Sequence, residues 1–233
     1  ALATVMSAAA VVPVGSGRAL MAFNGDFLFF VYVIALGRFF TTLATLDTDS
    51  NLGVLGAGRY VYFAALMEPA FLMITAILAM HTTKASFSDF LGRHEGFSVA
   101  IICAVVVLMM SAIVETGRMP IDDQASLNRL SVFNNSMPLH YSGVDLAMMC
   151  MATALKLTVY TTLVATMMMP LGMSALTGVS LYVGIMLSIA VAIGVVESVS
   201  VRLTTIHVAQ FIIGASAISL IALAVVAFGR DIR

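Results

Sequence analysis

The 233-residue chain has no tryptophan, only two cysteines, no run of basic residues and little charge of either sign, with Asp, Glu, Lys and Arg making up 10% of it. Each shortage excludes something. So little charge, against 61% hydrophobic residues and a mean hydropathy of +1.06, excludes a water-soluble domain and points to a multi-pass membrane protein surrounded by a lipid bilayer. A formal net charge of −1 without a basic run leaves no electrostatic footprint for nucleic acid and no polybasic tail for anionic lipid. Cys103 and Cys150 lie in separate apolar stretches without paired Cys or His spacing. That excludes a disulfide framework, a zinc site and an iron–sulfur ligand set, so no metal or cofactor is expected in this chain. The 17 methionines, including Met167 to Met169, are expected to fill gaps between helices as flexible thioethers.

What the chain does have is length in its apolar runs. Stretches able to span recur at about 26–46, 60–80, 97–115, 145–169, 176–198 and 206–228. Residues 1–14 are apolar but too few to cross a core that needs about 20 residues, and are expected to be the second half of a span. Irregular backbone cannot face lipid, so the expected fold is all-α: a polytopic transmembrane bundle of about seven helices, with residues 1–233 as a single transmembrane domain. Gly53, Gly56 and Gly58 in GVLGAGR lack the lysine of a phosphate-binding loop and a complete GxGxxG, and are expected to form a flexible turn entering the next helix. Positive charge does not choose an orientation: Arg18, Lys84, Arg93, Arg230 and Arg233 collect on one side, and Arg59, Arg118, Arg129 and Arg202 on the other.

Five ionisable residues fall within or at the ends of these spans: Arg38, Glu68, Glu115, Lys156 and Glu197. A charge at mid-span costs about 2.5–3.5 kcal/mol on insertion scales, so each needs a partner, a water-filled cavity or a neutral form. Arg38 and Glu197 sit near span ends, where snorkelling or a simple ion pair accounts for them. Glu68 precedes Pro69, whose missing N–H leaves helix carbonyls to water or to a neighbouring side chain. Glu68, Glu115 and Lys156 are therefore candidate sites for ion passage. In ETGRMPIDD, residues 115–123, one further helical turn would bring Arg118 onto the face of Glu115, and Pro120 would then end the helix and hold Asp122 and Asp123 in the loop.

ETGRMPIDD, followed after a gap by HYSGVDLAMMCMATALKLTVY, resembles the complex I subunit 1 family, nearest its branch in membrane-bound hydrogenases and formate hydrogenlyase. A second patch agrees: ALGRFFTTLATLDTDSNLGVLGAGR and then LMEPAFL. The resemblance implies a piece of membrane arm abutting a peripheral redox arm, with long loops at 47–59 and 116–144 facing the cytoplasm of a prokaryotic cell. It implies that the usual first helix and the basic loop after it are absent from this sequence. It also implies that Glu68 and Glu115 belong to a polar path coupling redox chemistry to proton or sodium translocation, with Arg38, Asp47, Lys156 and Glu197 at further polar positions of the path. Arg118, Asp122, Asp123, Arg129 and His140 would lie in the loop facing the peripheral arm. The implied partners are other membrane-arm subunits and peripheral hydrogenase- or dehydrogenase-like subunits, which would carry iron–sulfur clusters and a nickel–iron centre. The chain departs from the family at QASLNRLSVFNNSMPLHYSG, where Arg129, Asn135 and His140 stand in place of expected glutamates.

Two alternatives stay open. A quinone-reducing complex would use the same subunit, with a bound quinone beneath these loops. A stand-alone secondary ion transporter would bind its ion at Glu68 and Lys156, but the two halves of the chain show no repeat of the kind such transporters use.

Overall fold

The computed structural model describes residues 1–15, 17, 19–48, 51–81, 86–87, 99–118, 141–170, 175–199 and 205–231. These hold seven helices: α1 (Leu2–Val11), α2 (Asp26–Asp47), α3 (Asn51–His81), α4 (Val99–Glu115), α5 (Gly143–Met168), α6 (Ala175–Val199) and α7 (Thr205–Asp231). Five, α2, α3, α5, α6 and α7, are long and apolar enough to cross a membrane, while α1 and α4 are shorter apolar helices. In a medium that offers no hydrogen bonds, only a continuous helix satisfies the backbone of such runs. The protein is a membrane protein, and its surface shows it. Leu20, Leu176, Val179, Leu187 and Val199 are all more than 60% exposed, the reverse of a water-facing surface.

The expected loop at 47–59 is corrected by the structure, because α3 begins at Asn51 and the connection from α2 shrinks to residues 48–50. The glycines thought to form a flexible turn are helical. Gly53, Gly56, Ala57 and Tyr60 are buried on one face at the i, i+3, i+4, i+7 spacing of a packing stripe, while Gly58 is exposed with open space around it, and none of the three glycines breaks the helix. Helix α3 packs against α2, α4 and α7, α1 bridges α2 and α5, and α6 joins the bundle through α5. At the centre, aromatic rings meet edge to face: Phe27 with Phe87, Phe87 with Phe30, and Phe30 with Tyr160. Phe71 tilts against Tyr160 from α3.

Two anchors tie the bundle together at opposite ends. At the start of α2 the fully buried Asp26 carboxylate accepts hydrogen bonds from Ser86 Oγ at 2.8 Å and Phe87 N at 2.9 Å, fastening the α3–α4 connection. At the end of α2, Tyr141 Oη donates to the Ala44 carbonyl at 2.6 Å and holds the approach to α5.

Candidate functional site

Helix α4 is only 17 residues long, about 26 Å, and its stop is local in origin. Gly117 adopts φ of 63°, with Gly117 N bonded to Val114 O and Arg118 N to Ile113 O. These two bonds form a Schellman motif, which closes a helix on a left-handed glycine. Glu115 is thus the last helical residue, buried inside the bundle beside neighbours that continue past it.

The early stop corrects one expectation. The helix does not run a further turn, so Arg118 leaves the face of Glu115 and pairs instead with Glu197 of α6, Nη1 to Oε2 at 3.0 Å. Both of those side chains are more than 40% exposed, and such a pair contributes little stability. Glu115 finds other partners, one per oxygen. Oε1 lies 3.1 Å from Arg38 Nη1 of α2 and Oε2 lies 3.2 Å from Lys156 Nζ of α5.

From this carboxylate a polar string crosses four helices. Arg38 also donates to the Ala64 carbonyl at 3.3 Å, beside the carbonyl that Pro69 deprives of its donor, and its Nη2 lies 3.5 Å from Glu68 Oε1. Lys156 reaches on to the Tyr60 hydroxyl at 3.3 Å. Arg38 and Glu115 are buried, whereas the Glu68 carboxylate is 51% exposed. The structure therefore brings together Arg38, Glu68, Glu115 and Lys156 and keeps Glu197 apart with Arg118. Asp47, exposed at the end of α2, lies near Tyr141 and not in the string. Asp122, Asp123, Arg129 and His140 lie outside the described residues.

Two cavities flank the string. One, of about 310 Å³, occupies the space that the short α4 leaves and reaches Glu115, Lys156, Tyr60 and Arg118. The other, of about 350 Å³, lies between α2 and α3 and reaches Arg38, Glu68 and Tyr60. Among the described residues no group of three His, Cys, Asp or Glu is placed to hold a metal. What the arrangement offers is two carboxylates and an amine that can exchange protons with water, around a guanidinium that stays charged.

Sequence reasoning missed Tyr60, Tyr160 and Asp26. Tyr60 continues the buried stripe of α3, a pattern visible in GVLGAGRY, while Asp26 looks from sequence like a favourable charge in a first helical turn. Tyr160 is fully buried against Phe30 and Phe71, and its hydroxyl has no hydrogen-bond partner among the described residues.

Residues 1–228 match the family model described as NADH dehydrogenase. The chain belongs to the NADH dehydrogenase family, that of complex I subunit 1. It is similar to hydrogenase-4 component C of Escherichia coli, 29% identical over 153 residues, which are 64% of this chain and 47% of that protein. It is also similar to formate hydrogenlyase subunit 4 of the same organism, 28% identical over 123 residues, 51% of this chain and 39% of that protein. The match spans less than half the length of either relative.

Proposed function

We propose that the chain is a membrane-arm subunit of a complex-I-like oxidoreductase of the hydrogenase or formate hydrogenlyase type, in a prokaryotic cytoplasmic membrane. It anchors a peripheral redox arm and couples electron transfer there to proton or sodium translocation. In this proposal the iron–sulfur clusters and a nickel–iron centre belong to partner subunits, and the names of the two relatives favour the hydrogenase type over a quinone-reducing complex. One observation carries the coupling role: a buried carboxylate, Glu115, shared between two cations and bordering a cavity. Buried ion pairs seldom add net stability over apolar packing, so a two-cation site at the end of an apolar helix is better explained by ion passage.

The test must separate passage from packing. Glu115→Gln leaves Arg38 and Lys156 buried without their shared anion, a change of the kind that costs about 3–5 kcal/mol, and is expected to impair assembly. Glu115→Gln combined with Lys156→Met removes one charge of each sign and is expected to restore assembly. Coupled ion translocation in inverted vesicles should still fall at least tenfold, about 1.4 kcal/mol in the barrier. Full coupled translocation by the well-assembled double variant would overturn the proposed path.

A further inference from the structure

The two cavities share a single lining residue. Tyr60, on α3, borders the one that holds Glu115 and Lys156 and also the one that holds Arg38 and Glu68. Its side chain is nearly buried, and its hydroxyl takes a hydrogen bond from Lys156 at 3.3 Å. The polar string offers a shorter connection, Glu115 to Arg38 to Glu68, but that connection cannot conduct. A guanidinium does not give up its proton at any physiological pH, and its fixed positive charge repels a sodium ion. An ion passing from one carboxylate to the other therefore has to travel through water around Arg38. Space lies on both sides, and Tyr60 is the one residue that lines both cavities.

We propose that the Tyr60 side chain is a gate that keeps the two cavities apart, and that swinging it aside joins them into one hydrated route between Glu115 and Glu68. Its ring carries this role, and the hydrogen bond from Lys156 is not needed for it. The proposal rests on the ion-path role given above, but it makes a geometric claim that can be checked without measuring transport.

The check uses the assembled complex in inverted vesicles, with Cys103 and Cys150 replaced by serine and a small, membrane-impermeant cationic thiol reagent added on the Arg118 side. Thr153→Cys reports the first cavity and Ala64→Cys the second. With Tyr60 in place, the Thr153→Cys thiol should react at least tenfold faster than the Ala64→Cys thiol. Tyr60→Phe keeps the ring and should keep this protection. Tyr60→Ala should bring the two rates within about threefold and, in the otherwise native complex, lower the number of ions moved per electron at least threefold while electron transfer continues. Should Tyr60→Ala fail to assemble, Tyr60→Leu, which keeps apolar bulk without the ring, carries the same expectation. An Ala64→Cys thiol equally reactive with and without the ring, or still protected in Tyr60→Ala, would overturn the gate. The gate also falls if Tyr60→Phe loses as much coupling as Tyr60→Ala, because the hydroxyl would then be the working part. These results are separable from a failure of the coupling role: that role falls if the Glu115→Gln, Lys156→Met pair translocates fully, whereas the gate alone falls if that pair is dead and the thiol pattern does not change.

Discussion

At the scale of single residues, the site is organised by unequal chemistry among its charges. Glu115 gives one oxygen to a cation that cannot lose its proton, Arg38, and the other to a cation that can, Lys156. Arg38 Nη1 donates to the Ala64 carbonyl and lies 3.1 Å from Glu115, while its buried Nη2 faces Glu68 at 3.5 Å with no hydrogen-bond partner among the described residues. Tyr160 stands beside them within electrostatic reach of Glu115 and Arg38, fully buried, its hydroxyl unbonded among the described residues. A buried hydroxyl without a partner carries a desolvation cost of roughly 1–3 kcal/mol. Tyr160→Phe keeps the edge contact with Phe30 and the tilted contact with Phe71, so it is expected to raise the thermal midpoint of the purified complex, by the equivalent of about 1 kcal/mol. A lowered midpoint would show that the hydroxyl holds a bound water and belongs to the polar string.

At the scale of elements, the stop of α4 decides where the site sits. Gly117 can take φ of 63° because it has no Cβ, and Gly117→Ala would impose a left-handed residue at a cost of roughly 1–2 kcal/mol. The expected result is a lower thermal midpoint and a larger fraction of complex in which Arg118 has left Glu197, read as faster proteolysis within the 119–140 segment. Wild-type values for both would show that the turn is not what positions Arg118. A second local tie has a pH signature. Tyr141 lies outside the membrane span, and burial, followed by the nearby Asp47 and Asp145 carboxylates, pushes its ionisation above the ordinary value of 10.0. A phenol whose folded pKa is raised contributes stability that is fully present below the unfolded value and is lost as pH rises through the folded one. Tyr141→Phe should therefore cost about 0.5 kcal/mol uniformly from neutral pH up to roughly pH 10, the low end for a hydrogen bond because this one is exposed. A cost that varies between pH 6 and pH 9 would mean that another group controls the tie.

The helices themselves were legible in the sequence because a long apolar run leaves the backbone no other choice in lipid, and α2, α3, α5, α6 and α7 fall where those runs lie. Their ends were less legible. TGRMP carries two stop signals, a glycine and a proline, and composition does not say which acts first; the glycine does. The start of α3 was misplaced for a related reason. Glycine has a low propensity in water-soluble helices, but in a membrane bundle it is the residue that lets backbones approach, so Gly53 and Gly56 mark packing and not a break. Among the site residues, Arg38, Glu68, Glu115 and Lys156 stood out from sequence because charge in an apolar span is expensive. Which of them touch was not legible, since Glu115 has a candidate cation three residues away and finds its partners 77 residues before and 41 after. Tyr60 and Tyr160 carried no such warning, because a tyrosine in an apolar helix is ordinary core.

At the scale of the whole molecule, sidedness follows from which connections meet. Asp26 at the start of α2 binds Ser86 and Phe87 between α3 and α4, which places those two connections on one face. Tyr141 before α5 binds Ala44 near the end of α2, and Arg118 after α4 binds Glu197 near the end of α6, which gathers the α2–α3, α4–α5 and α6–α7 connections on the other. The same α4–α5 connection holds the 116–144 segment that should meet a peripheral arm, so the second face is expected to be cytoplasmic, a choice that the near-tie of positive charges leaves to the side-chain contacts and the family. Ser86 is buried against Asp26 and makes a poor reporter of the first face, whereas Leu20 is 90% exposed there. Leu20→Cys should react with an impermeant maleimide only in right-side-out vesicles. Thr48→Cys and Ser142→Cys should react only in inverted ones. Reaction of Thr48→Cys and Ser142→Cys from opposite faces would break the pairing of α2 with α5 and with it the helix count. Reaction of both from the outside would keep the fold but turn it over, placing the Glu115 cavity on the face away from any cytoplasmic electron donor and removing the ground for coupling.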